Sequence, residues 1–119
     1  MNLCVTAGGK ALVLAAELFT LSWEHSVEKV RWEETWRLTG AGLEIVEARV
    51  RGSGAGMEPP DGAVLRDGWW SYRPALPPQP ALRLAASGKT SGGWTLCTDV
   101  TCTTLGAEAG EAITVAGCE

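Results

Sequence analysis

Apolar and polar residues alternate along much of this chain with a period of two, and the alternation is cut at short intervals by glycine- and proline-rich turns. In 18–25 the positions Phe19, Leu21 and Trp23 alternate with Thr20, Ser22 and Glu24; in 30–38 Val30, Trp32, Trp36 and Leu38 alternate with polar neighbours. That period belongs to a strand with one buried face, because successive side chains point to opposite sides of a sheet. Turn signals recur at Gly8-Gly9, 39–42, 52–56, 59–62, Pro77-Pro78, Ser87-Gly88, 91–93 and Ala109-Gly110. Between them no segment holds a 3.6-residue apolar period long enough for a helix. The predicted strands are 3–6, 11–15, 18–25, 30–38, 43–50, 69–73, 81–86, 93–98, 101–105 and 112–115. About eight to ten short strands with frequent turns predict an all-β fold, an antiparallel β-sandwich or flattened barrel built from residues 1–119 as a single domain. The proline-rich stretch 74–80 reads as an extended connector or edge.

Strand parity shows which polar groups can meet. On the apolar face of 18–25 the polar interruption is His25; on that of 30–38 it is Glu34. A four-residue connection over 28–31 would pair Val27 with Trp32, His25 with Glu34 and Trp23 with Trp36. A hairpin through Gly40-Ala-Gly42 would pair Leu38 with Leu43, and the same register sets Glu34 against Glu47 and Trp32 against Arg49. The construction gathers His25, Glu34, Glu47 and Arg49 on a face walled by Trp23, Trp32 and Trp36. A slip of one residue would reverse it.

Burying a carboxylate or imidazole without a partner costs several kcal/mol. Such a group therefore pairs internally and fixes strand register, or it faces a polar ligand, or His25 and Glu34 act as acid and base. Binding is placed before catalysis: with a single histidine there is no second base for a Ser–His–Asp arrangement, and Ser26 alternates away from His25. In the loop 51–60, Gly54 and Gly56 permit close backbone approach to a ligand, with Met57 and Glu58 placed to line it. The loop lacks the Gly-Lys-Ser/Thr ending of a phosphate loop, and as an Ω-like surface loop it needs no ligand.

Composition narrows the partners. A net charge of −4 leaves no basic footprint for nucleic acid. The longest apolar run, 11–16, is six residues, against roughly 20 for a membrane-spanning helix. No export-signal pattern opens the chain, so the expected compartment is the cytoplasm as written, or the periplasm if the translated start lies upstream. Six tryptophans stand beside one Phe and one Tyr; core filling accounts for most of them, and Trp69 and Trp70 must point to opposite faces of a strand. Cys97 and Cys102 lack zinc-knuckle spacing. They sit at the ends of a four-residue hairpin loop, within disulfide reach in an oxidising compartment and left as thiols in the cytoplasm. No motif calls for a metal or cofactor.

Three motifs, Phe19-x-Leu-x-Trp-x-His-Ser-Val-Glu-Lys29, Trp32-x-Glu-x-Trp36 and Gly54-Ala-Gly-Met-Glu-Pro-Pro60, together resemble a bacterial family called domain of unknown function 1850. The matching positions are His25, Ser26, Glu28, Glu34, Gly54 and Gly56. The resemblance assigns no catalytic residue. It implies an accessory role in solute uptake, because members are often encoded beside tripartite ATP-independent periplasmic (TRAP) transporters of the TAXI type. The expected partner is then a small polar or acidic solute or a transporter component. The alternatives are a small enzyme using His25 and Glu34, or a purely structural partner subunit.

Overall fold

A computed structural model describes residues 1–24, 30–51, 61–86 and 93–118. Within them eleven strands form two antiparallel sheets: β1 (Asn2–Ala7), β2 (Lys10–Leu14), β3 (Leu18–Glu24), β4 (Arg31–Thr39), β5 (Gly42–Arg51), β6 (Val64–Arg66), β7 (Trp69–Tyr72), β8 (Ala81–Leu84), β9 (Trp94–Cys97), β10 (Cys102–Leu105) and β11 (Ile113–Cys118). The smaller sheet has the order β2-β1-β11-β8 and the larger the order β10-β9-β3-β4-β5-β7-β6. The all-β sandwich expected from the alternation is what the chain forms. No helix among the described residues is long and apolar enough to cross a membrane. Every expected strand is present with small shifts at its ends. The eleventh, β6, precedes Asp67-Gly68, whose φ angles of 52° and 82° are those of a two-residue type I′ hairpin turn.

The two sheets meet through one apolar layer. Leu3, Val5, Leu84, Ile113 and Val115 of the smaller sheet pack with Phe19, Leu21, Trp36, Leu38, Leu43, Ile45 and Leu96 of the larger, and none is more than 6% exposed. Burying each such side chain contributes about 1.5–3 kcal/mol. The first and last strands are neighbours, with Val5 opposite Val115, and a disulfide joins Cys4 to Cys118 across them. The stretch 74–80 is an edge, as expected: Gln79 exchanges two backbone hydrogen bonds with Leu43, at 2.7 and 2.8 Å. Gly42 makes that approach possible. Its φ is +121°, and a Cβ there would lie 2.6 Å from the Gln79 carbonyl oxygen.

Two registers differ from expectation, and together they decide the site. In the β3–β4 pair, Trp32 lies opposite Trp23 rather than Val27, and Glu34 opposite Leu21 rather than His25. Among the described residues the paired ladder begins at Glu24 and Arg31. The slip is an even number of residues, so the faces survive while the partners change. In the β4–β5 pair, Leu38 faces Leu43 as expected, but the register shifts between Thr35 and Trp36: Trp36 pairs with Ile45 and Thr35 with Glu47. Val46 is the extra residue of a β-bulge, which inverts the parity of the rest of β5. The physical reason is visible in the burial pattern. Without the bulge, the face carrying Leu43 and Ile45 would continue into Glu47 and Arg49; with it, Ala48 and Val50 turn inward, at 2% and 1% exposed.

Candidate functional site

The larger sheet is not covered equally along its inner face. One cross-strand row at its end contains Trp94 on β9, Trp23 on β3, Trp32 on β4, Val50 on β5 and Trp70 on β7, set by the pairs Trp23–Trp32, Trp32–Val50 and Val50–Trp70. Trp23 and Trp32 stack nearly parallel, with centroids 6.3 Å apart and a 7° interplanar angle; Trp94 tilts against Trp23 at 4.7 Å. Val50 is buried, while the four indoles are only partly covered. Aromatic residues suit such a row because flat rings on paired strands pack face to face and still present area at the boundary.

The adjoining row runs through Leu96, Leu21, Glu34, Ala48 and Tyr72. Glu34 is half-buried and accepts a hydrogen bond from Trp36 Nε1 at 3.1 Å. Burial pushes its carboxyl above the ordinary value of 4.5, and the Trp36 bond only partly offsets that. The Tyr72 hydroxyl is raised as well, first by burial and then by the charge of Glu34. Among the described residues Glu34 takes part in no ion pair. The Trp94 indole N–H donates to the Ala85 carbonyl at 3.0 Å, whereas Trp32 Nε1 is buried with no hydrogen-bond partner among the described residues. A buried donor left unpaired costs about 1–3 kcal/mol. The end of the inner face thus combines aromatic wall, one unpaired donor and one desolvated carboxyl.

The expected site is brought together only in part. Glu34, Trp23, Trp32 and Trp36 share the inner face; Trp36 is a core residue, 4% exposed. Glu47 and Arg49 are on the opposite face, because of the bulge. Glu47 is exposed opposite Thr35, and Arg49 pairs with Glu33 at 2.9 Å. His25, Ser26, Glu28, Gly54, Gly56, Met57 and Glu58 lie outside the described residues. Trp70, Tyr72 and Trp94 join the face without having been selected from the sequence. Their signal was present in the alternation of Trp70 with Tyr72 and of Trp94 with Leu96.

Chemically, the face can hold an apolar or cationic body against the indoles, give a hydrogen bond from Trp32, and accept one at Glu34 or donate one when that carboxyl is protonated. No group of three or more His, Cys, Asp or Glu among the described residues is placed to hold a metal ion. A cleft of about 730 Å³ lies elsewhere, lined by Glu17, Phe19, Thr20, Thr35 and Asp99 among others. It contains no buried polar atom lacking a partner, which is why the tryptophan row is the better candidate.

A family model described as "Domain of unknown function (DUF1850)" matches residues 19–105. That span takes in all of the larger sheet except Leu18, together with β8, and so includes the tryptophan row. No curated protein and no solved structure matches the chain.

Proposed function

The chain belongs to the DUF1850 family, and from that premise we propose that it is a small binding module whose ligand seats on the tryptophan row. The observation that carries this reading is a Trp32 indole N–H with no partner among the described residues one row away from a half-buried Glu34. Both are polar groups that a ligand bearing an acceptor and a donor would complete. The ligand is a small polar solute. The module serves as an accessory to a TAXI-type TRAP transporter, a role supported by the resemblance carried by the His25, Glu34 and Gly54–Gly56 motifs. Two cysteine pairs support the periplasm as its compartment. Cys97 is directly opposite Cys102, with Cα atoms 4.0 Å apart, and the Cys4 and Cys118 Cα atoms are 5.7 Å apart; both pairs are bonded. Disulfides persist in oxidising compartments.

Titrating the protein with a panel of amino acids and organic acids while following tryptophan fluorescence tests the reading. A binding module gives a saturable change for at least one solute, and Trp32→Phe weakens it by about tenfold, the effect of one lost hydrogen bond in a desolvated site. An enzyme would instead bind substrate normally in Glu34→Gln and fail to turn it over. A structural subunit would show no solute binding in the parent protein or in either variant.

A further inference from the structure

The outer face of the larger sheet carries a second, separate surface. Arg51 on β5, Trp69 on β7 and Arg66 on β6 lie in one cross-strand register, and Arg49 and Ser71 are paired in the next. The Arg49 guanidinium carbon lies 4.3 Å from the centroid of the Trp69 ring and that of Arg51 lies 5.6 Å away. Two guanidiniums therefore approach one indole, and Arg66 is its cross-strand neighbour on β6, in a chain whose net charge is −4. Arg49 is held by Glu33 at 2.9 Å, but among the described residues neither Arg51 nor Arg66 has a carboxylate within ion-pair distance. Both are exposed.

This patch reaches the end of the sheet. β6 is the terminal strand, with nothing paired along its far side among the described residues. An unpaired strand edge is a row of backbone donors and acceptors ready to accept another strand. The side chains of β6 say what that strand would carry. Arg66 and Val64 point to the outer face with Trp69 and Ser71, while Leu65 points to the inner face beside Trp70. Val64 and Leu65 are 49% and 51% exposed, so apolar area lies open along this edge.

We propose that the β6 edge and its Arg51–Trp69–Arg66 patch form a docking surface for an acidic, extended segment of a partner protein. The segment adds as an eighth strand. Its residue opposite Arg66 is acidic and lies on the outer face, and its residue opposite Leu65 is apolar and continues the tryptophan row inward. Alternation of acidic and apolar residues over at least three positions is the recognised pattern. Charge supplies selectivity and the backbone ladder supplies affinity.

The test titrates isotope-labelled full-length protein with the capped peptide Val-Glu-Val-Glu-Val-Glu-Val and follows amide shifts. The expected result is saturable shifts at Val64, Leu65, Arg66 and the Trp69 indole, with affinity falling as salt rises. Arg51→Glu and Arg66→Glu each weaken binding by roughly two- to fivefold, the size of an exposed ion pair, and together by about tenfold. Arg37→Glu, exposed on the same face of β4 and remote from β6, leaves it unchanged. Equal binding of the corresponding lysine peptide, or full affinity in the doubly substituted protein, would overturn the proposal. So would citrate reproducing the same shifts at the same concentration, which would make the patch a simple anion site. Full affinity for a peptide N-methylated at its valines would overturn the strand-addition step. None of these outcomes bears on solute binding at the inner face, because the variants leave Trp32 and Glu34 untouched.

Discussion

The two ends of the larger sheet's inner face are built from the same kind of strand and end in opposite states. At one end Phe19, Trp36, Leu38, Leu43 and Ile45 are sealed against the smaller sheet, each at most 5% exposed. At the other, Trp94, Trp23, Trp32 and Trp70 remain partly uncovered, with the Trp32 N–H lacking a partner among the described residues and a desolvated carboxyl one row away. The first end does what a core does: every apolar surface meets another, and Trp36 even satisfies its N–H on Glu34. The second leaves a buried indole N–H without a partner among the described residues, at a cost that a core normally avoids. The difference separates the half of the face that is sealed in the core from the half that the proposed function assigns to a ligand.

That contrast can be broken at either end. Phe19→Ala should lower unfolding free energy by about 3–5 kcal/mol, the range for emptying a buried aromatic site, measured by urea denaturation; a loss below 1 kcal/mol would mean that the sealed end is not sealed. Gly42→Ala should cost about 1–3 kcal/mol, since it forces a Cβ against the Gln79 carbonyl at a φ of +121°. Unchanged stability there would show that the 74–80 edge does not close the β5 end of the core.

At the tryptophan end the expected effects are smaller and of different sign. A carboxyl whose pKa is higher in the folded chain than in the unfolded one favours folding below its unfolded value of 4.5, and that contribution is lost as pH rises through the folded value. Glu34→Gln should therefore be more stable than the parent at pH 7, with the advantage vanishing below pH 4.5; thermal melts at both pH values check the sign, and a destabilised variant at pH 7 would reverse it. Trp32→Phe should change stability by about 1 kcal/mol or less, because the lost ring area is offset by removing an unpaired donor, while solute binding falls.

Much of this architecture can be read directly from alternation. β6 aside, the strands of both sheets are legible as short apolar-rich segments between turn signals, β3 and β4 as clear periods of two, and the juxtaposition of Cys97 and Cys102 follows from their hairpin spacing. β6 is too short to show a period; its signal is the Asp67-Gly68 turn behind it. The β3–β4 register was not legible, because any even number of residues in the connection preserves the same apolar faces. The bulge was legible in principle. The apolar positions of β5 switch from odd, Leu43 and Ile45, to even, Ala48 and Val50, and only an extra residue allows both pairs to face inward. Reading through that switch is what placed Glu47 and Arg49 beside Glu34. The Cys4–Cys118 bond and the unpaired Trp32 nitrogen depend on tertiary placement, and no local pattern announces them.

The central claim is that the uncovered end of the inner face is a binding face, and a shift-mapped titration of labelled protein with the amino-acid and organic-acid panel tests it most directly. The account predicts that a binding solute moves the indole N–H signals of Trp23, Trp32, Trp70 and Trp94 together, Trp32 most, and leaves that of Trp69 in place. A solute that binds while leaving those four signals unmoved, or a panel that moves none of them at any concentration, would contradict it.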